Sequence, residues 1–150
     1  MSTPVTSDPT VASSARWFWW IAGLSLVNLL LFYAGSNTNF VVGLGMTAVV
    51  SAVFTDPKVV GLILSALIIG HYGVIGYFAL REKLWAFYIG LVVYVIDALV
   101  YAFFEDWMPV AFHAYVIFHL FKGISALRGR GDEAPAPAPM EQPQSPEAGA

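Results

Sequence analysis

Residues 58–104 read KVVGLILSALIIGHYGVIGYFALREKLWAFYIGLVVYVIDALVYAFF. The run contains two predominantly apolar stretches, 58–80 and 84–104, separated only by Arg81, Glu82 and Lys83. A helix needs about 20 apolar residues to cross the hydrocarbon of a bilayer. Each stretch is therefore long enough for one crossing, and the short connection makes the two helices antiparallel neighbours.

Two further stretches, 16–35 and 107–127, have the same length and character. Hydrophobic residues make up 58% of the 150-residue chain and charged residues only 11%, whereas a soluble domain carries roughly 25% charged residues. The sequence therefore predicts an all-α integral membrane protein, a bundle of four transmembrane helices within residues 16–128.

Residues 39–54, NFVVGLGMTAVVSAVF, are apolar but short for a crossing. They predict one additional short helix, which is either re-entrant or a fifth span. The Ser/Thr/Pro-rich residues 1–15 and the acidic Pro/Ala-rich residues 129–150 cannot bury a core, so both are predicted to be disordered tails.

Lys and Arg near the ends of membrane spans mark the cytoplasmic side. With four spans, one side of the membrane receives nearly all the basic residues near the span ends, and Lys58 alone lies on the other. The residues that share a side are Arg16, Arg81, Lys83, Arg128 and Arg130. This predicts both termini in the cytoplasm, whereas a fifth span would move the N-terminus and Arg16 outside.

Several classes of function are excluded or disfavoured by composition. The net charge is −3 and no basic patch is present, which argues against nucleic-acid binding. The absence of cysteine removes thiolate metal sites and thiol nucleophiles. The sequence contains no nucleophile elbow, HExxH motif or phosphate loop. We therefore expect a non-enzymatic protein with no cofactor.

Ionisable residues inside a bilayer are costly and are candidates for function. Asn28, Asp97 and His113 lie six or seven residues from one end of their spans, which places all three roughly 10 Å below the surface. An Asp97–His113 pair could relay protons, or it could only fix which helix faces meet. Tyr94 and Tyr101 flank Asp97 on the same helical face and could extend the network or simply pack.

A second polar level lies deeper in the predicted bundle. His71 and His119 are twelve or thirteen residues from the same end of their spans, so they share a level near the midplane. Facing one cavity, they could hold a haem or contribute to a metal site. Lys122 is close enough to the cytoplasmic edge for its ammonium group to reach the headgroup region.

Small residues repeat along the stretch 58–80. Gly61 and Ser65 form one small-xxx-small pair and Ala66 and Gly70 form another. Such pairs let a second helix backbone approach closely. The glycines around His71 could equally leave room for a ligand.

Several segments together resemble a group of small uncharacterised bacterial multi-helix inner-membrane proteins. These segments are ARWFWWIAGLSLVN in the first span, YxxDAL in the third, EDW in the turn that follows, and AFHAYVIFHLFKGISAL in the fourth. The resemblance covers roughly residues 15–128. It implies a bacterial inner-membrane location and no particular activity, because no function is established for that group.

Three functional hypotheses follow from the sequence. The first is a non-enzymatic accessory or structural subunit that packs in the lipid bilayer as a homo-oligomer or against other membrane protein subunits. The second is a proton, ion or small-solute transporter that uses Asp97 and the histidines. The third is a haem-binding or metal-binding membrane protein.

Overall fold

The computed structural model describes residues 8–36 and 43–132, with side chains up to residue 130. This part of the chain contains no strand and forms five helices: α1 (Pro9–Tyr33), α2 (Gly45–Val53), α3 (Lys58–Leu80), α4 (Leu84–Phe103) and α5 (Trp107–Asp132). All except α2 are long and apolar enough to cross a membrane. The chain is an all-α, multi-pass membrane bundle, as the sequence predicts.

The four long helices form a ring in which α1 and α4 each pack against both α3 and α5. Tyr33, at the end of α1, donates its hydroxyl hydrogen to the backbone oxygen of Lys58 at the start of α3, so these helices are antiparallel. The start of α1 and the end of α5 therefore lie at one end of the bundle, which we call the termini end. The opposite end, which also holds α2, is the α2 end.

The helix α1 begins earlier than predicted. Residues 1–15 are predicted to be a disordered tail, but the helix starts at Pro9, with Asp8 accepting hydrogen bonds from the backbone N–H groups of Thr10 and Val11. An aspartate followed by proline is a favourable helix start. Ser14 anchors this first part of α1 by donating to the backbone oxygen of His119.

The helix α5 also extends past its predicted end at residue 127. It continues to Asp132, so residues 129–132 of the predicted C-terminal tail are helical. Arg130 forms a 2.9 Å ion pair with Glu82 in the turn between α3 and α4. This contact ties the last turns of α5 to the rest of the termini end. The predicted tail segments 1–7 and 133–150 lie outside the described residues.

Two turns connect α3 to α4 and α4 to α5 in the same way. Glu82 and Glu105 adopt positive φ angles of 59° and 58°. The next residue in each turn donates a backbone hydrogen bond to the carbonyl five residues earlier, as in Lys83 N–H to Phe78 O. This is the Schellman ending of a helix, in which glycine is the usual residue at the left-handed position. It reverses the chain within three residues.

Glycine allows the long helices to approach closely in the middle of the bundle. A methyl group added at Gly90 of α4 would overlap the Phe18 ring of α1 and lie 2.9 Å from Ile75 of α3. The Phe18 ring packs edge-to-face on Phe87 at 5.8 Å. This aromatic and aliphatic packing fills the bundle between the termini end and the polar level that holds Asp97.

Candidate functional site

The helix α2 is re-entrant. Its nine residues cover only about 13 Å, and it begins beside Asp97, six residues from the end of α4. It ends next to Phe54, which lies against Gly61 near the start of α3. The described chain thus leaves α1 at the α2 end, is deep in the bundle at Gly45, and returns to the same end. Of the predicted segment 39–54, residues 39–42 lie outside the described residues.

Asp97 holds the N-terminus of α2. Its Oδ2 accepts a 2.9 Å hydrogen bond from the N–H of Gly45, and its Oδ1 accepts a 2.8 Å bond from the N–H of Met46. The first N–H groups of a helix have no partner within the helix, and a carboxylate also interacts favourably with the helix dipole. Leu44, the N-cap residue of α2, makes no such bond with its side chain. The Asp97 carboxylate of α4 therefore caps the N-terminus of α2.

His113 of α5 completes the partners of Asp97. Its Nε2 lies 2.9 Å from Oδ2 of Asp97, and both side chains are fully buried. Its Nδ1 lies 2.8 Å from the backbone oxygen of Pro109. The structure therefore brings together Asp97 and His113, which the sequence places at the same depth.

The hydrogen bonds of His113 restrict where protons can lie. The carbonyl oxygen of Pro109 can only accept, so Nδ1 carries a hydrogen. Nε2 then either donates to an ionised Asp97 or accepts from a protonated one. The two arrangements differ only in which atom holds the shared proton. The pair has no net charge in either arrangement, which suits the interior of a membrane.

Two tyrosines of α4 enclose the pair. The ring of Tyr94 stacks on the His113 ring at 4.3 Å, and the ring of Tyr101 lies 5.2 Å from it. Tyr101 donates its hydroxyl hydrogen to the backbone oxygen of Gly43, which precedes α2. The hydroxyl of Tyr94 is buried and has no hydrogen-bond partner among the described residues. The same holds for the hydroxyl of Tyr72 of α3. The centres of the two tyrosine rings lie 6.3 Å apart.

Three small hydroxyl residues, which the sequence analysis did not assign to the network, also anchor the re-entrant segment. Ser25 accepts from the N–H of Leu44 and donates to the backbone oxygen of Ile21. Ser65 of α3 lies 3.2 Å from Ser51 of α2. These residues hold α2 against α1 and α3, while Asp97 and Tyr101 hold it against α4.

Asn28 lies at the level of this network. Its side chain lies against Gly43, so closely that a methyl group on Gly43 would overlap the amide. The predicted level of Asn28, Asp97 and His113 therefore exists in the structure, and the start of α2 occupies it. In the sequence, the two glycines of Gly43-Leu44-Gly45 indicate this close packing at the start of α2, because a backbone in close contact with neighbouring side chains needs small residues.

The structure does not bring His71 and His119 together. They lie on α3 and α5, which are diagonally opposite in the ring. His71 is exposed on the outer face of α3, whereas the half-buried His119 packs its ring 5.5 Å from Trp17 of α1. The predicted midplane ligand pair is therefore not formed, because the inward face of α3 carries Tyr72 instead. Within residues 8–36 and 43–132, no three His, Asp or Glu residues are grouped to hold a metal ion.

Lys122 is exposed on α5, and its Nζ lies 5.9 Å from the centre of the Phe118 ring. This position agrees with an ammonium group that extends to the edge of the membrane.

The fold and this site define a helical membrane protein in which a re-entrant half-helix is fixed by a buried Asp–His pair. No known protein-family model, curated protein or solved structure matches the chain. The resemblance to small bacterial inner-membrane proteins therefore stays an expectation.

Proposed function

We propose that the chain is a non-enzymatic accessory subunit of the bacterial inner membrane, with both termini in the cytoplasm. In this proposal it binds another membrane protein, or a second copy of itself, through the outer face of α3. The termini end carries Arg16, Arg81 and Lys83, and such basic residues favour the cytoplasmic side. The proposed interaction is supported by the outer half of α3, on which Ala66, Gly70 and His71 are all exposed.

The buried polar network supports a structural role for Asp97. Both carboxylate oxygens bind backbone N–H groups of α2, and one also binds His113. A carboxylate with this many partners is well suited to fixing α2. His71 of α3, in contrast, is exposed.

The outer face of α3 has the properties of a helix–helix contact. Ala66 and Gly70 are exposed, and a methyl group added at Gly70 would meet nothing within 4 Å. Small residues in this spacing let a second helix backbone approach closely. His71 is exposed on the same outer half of α3, about 20 Å from the α2 end, and no hydrogen bond of its ring occurs among the described residues. A polar ring exposed to hydrocarbon favours a partner that can bond to it.

A single cysteine tests this proposal directly, because the chain contains none. Gly70→Cys, labelled in membranes with a thiol-reactive photocrosslinker, is expected to give one discrete product, either of twice the chain mass or of one larger fixed mass. Gly23→Cys is the matched control, because Gly23 is an exposed glycine of α1 with nothing within 4 Å. Lipid adducts alone at both positions, or the same protein product from both, would contradict the proposal.

A second candidate function is proton conduction through the Asp97–His113 pair. It is favoured by the side chains of Tyr94 and Tyr72, whose rings follow one another from His113 towards the middle of the bundle and whose buried hydroxyls have no hydrogen-bond partner among the described residues. Purified protein in liposomes would then carry a proton flux that Asp97→Asn abolishes. If Asp97→Asn changes only stability and no flux is present in the parent, conduction should be rejected.

A further inference from the structure

The seam between α1 and α3 carries aromatic and basic residues near the termini end. Gly76 of α3 has no side chain, and the indole of Trp19 of α1 lies against it. A methyl group added at Gly76 would lie 3.0 Å from the indole nitrogen. Trp19 is nevertheless 49% exposed. The indole therefore lies on the seam and remains in contact with the surroundings of the bundle.

Two arginines lie on the termini side of this indole. Arg16 precedes Trp19 by three residues, so the two side chains are neighbours on the surface of α1. Arg81 follows Tyr77 by four residues, and its guanidinium carbon lies 4.0 Å from the centre of the Tyr77 ring. Because α1 and α3 are antiparallel, both steps lead from the contact at Gly76 towards the same end of the bundle.

The rise per residue of a helix places the two arginines at similar levels. Measured from the contact between Trp19 and Gly76, Arg16 lies about 4.5 Å and Arg81 about 7.5 Å nearer to the termini end. Tryptophan favours the boundary between the hydrocarbon and the headgroups of a bilayer. With Trp19 at this boundary, both guanidinium groups lie at the level of the lipid phosphates.

Neither arginine is neutralised within the described part of the chain, where no ion pair includes Arg16 or Arg81. Of the described side chains at the termini end, only Asp8 and Glu82 are acidic. Both of these carboxylates lie against Arg130 instead, at 3.9 Å and 2.9 Å. The seam therefore presents two unpaired guanidinium groups, which bind phosphate through charge-assisted and often bidentate hydrogen bonds.

The charge around the seam favours an anionic headgroup over a zwitterionic one. In a zwitterionic headgroup, a cationic group accompanies the phosphate. That cation would be repelled by the basic termini end, where Lys83 and Arg128 are also exposed. At the α2 end the balance of charge is reversed, so the preference for an anion is confined to the leaflet at the termini end. The described charged residues of the α2 end are Lys58, Asp56, Glu105 and Asp106.

We propose that the α1–α3 seam binds one anionic phospholipid in the leaflet that surrounds the termini end. The lipid phosphate lies between Arg16 and Arg81, and the adjoining part of the lipid lies against the rings of Trp19 and Tyr77. Arg81 is roughly 16 Å along α3 from Gly70. The lipid site therefore does not depend on the protein partner proposed for the outer face of α3.

Two phospholipids with the same acyl chains and different headgroups test the proposal. Native mass spectrometry of the purified, delipidated full chain measures the binding of the first lipid molecule. Phosphatidylglycerol is expected to bind at least fivefold more tightly than phosphatidylcholine. Glycerol phosphate, the soluble headgroup alone, should not compete at the same concentration, because it lacks the part that lies against the aromatic rings.

Charge-neutralising variants test the location of the site. Arg16→Gln and Arg81→Gln should each weaken the binding of phosphatidylglycerol about threefold to fivefold, as expected for one basic residue at a membrane surface. The double variant should bind both lipids equally. Arg128→Gln is the matched control and should change the affinity less than twofold, because Arg128 is an exposed arginine of α5 outside the seam.

Three results would overturn the proposal: equal binding of the two lipids by the parent, competition by glycerol phosphate at the same concentration, or the same loss of affinity in Arg128→Gln as in the seam variants. The comparison of Arg16→Gln with Arg128→Gln remains decisive if Arg81→Gln does not fold.

Discussion

Replacing Asp97 with Asn should detach the N-terminus of α2 with little change in side-chain volume. In the parent, each carboxylate oxygen accepts one backbone N–H, from Gly45 and Met46 respectively. An asparagine has one oxygen and one NH₂ group at these two positions. Whichever way the amide is turned, one N–H of α2 faces a donor. This result does not depend on how His113 is protonated.

The expected loss of stability follows from the one N–H group of α2 that loses its acceptor. Leaving one buried N–H without an acceptor costs about 1–3 kcal/mol, and where Asp97 is ionised, loss of its negative charge at the helix N-terminus adds about 0.3–1 kcal/mol. The reduced cost of burying a neutral side chain offsets part of this sum. We therefore expect a loss of about 1–3 kcal/mol in the free energy of unfolding. Asp97→Ala should cost more, because it removes both acceptors.

Denaturant unfolding of the purified protein in mild detergent measures this loss. Asp56→Asn is the control, because it makes the same chemical change at an exposed residue. A local readout comes from Ser51→Cys in the parent and in Asp97→Asn, since Ser51 is buried on α2. Its thiol should react faster with a water-soluble maleimide when Asp97 is replaced. If Asp97→Asn matches Asp56→Asn in stability and leaves the labelling rate unchanged, Asp97 does not hold the N-terminus of α2.

Three further substitutions and one control test other parts of the structure by the same unfolding measurement. Tyr94→Phe should leave stability unchanged or raise it by up to about 1 kcal/mol, because it removes a buried hydroxyl without a partner; a clear loss would indicate a bond that the structure lacks. Gly90→Ala should cost about 1–3 kcal/mol by overlapping the packed core, while Gly23→Ala, in open space, should not destabilise. Glu105→Gly should gain about 1 kcal/mol by relieving the positive φ, and a loss would contradict the turn geometry.

The spans and the depth of the polar level could be predicted from the sequence. Helix length and hydropathy determine four crossings, and the rise per residue places Asp97 and His113 at one level. This arithmetic gives depth but not the direction in which a side chain points. For that reason it failed for His71 and His119, which share a depth but face different surroundings.

The role of Asp97 at the start of α2 could not be predicted, because its two partners there are backbone N–H groups. Every residue except proline has a backbone N–H, so the identities of Gly45 and Met46 do not show that their N–H groups lack partners within a helix. That follows only when residues 45–53 are helical and the segment starts inside the bundle. The early start of α1 was predictable in part, since Asp8 and Pro9 are a favourable helix start. The Ser and Thr residues around Asp8 and Pro9 instead favoured the prediction of a disordered tail.

The structure implies that the segment containing α2 enters and leaves the membrane region at the same end of the bundle. Single cysteines in place of Ser2, Thr55 and Ser145, labelled with an impermeant maleimide in right-side-out and inverted membrane vesicles, test it most directly. We expect Ser2→Cys and Ser145→Cys to react from one side of the membrane and Thr55→Cys from the other. If Ser2→Cys instead reacts from the same side as Thr55→Cys, the segment containing α2 spans the membrane and the re-entrant helix is wrong.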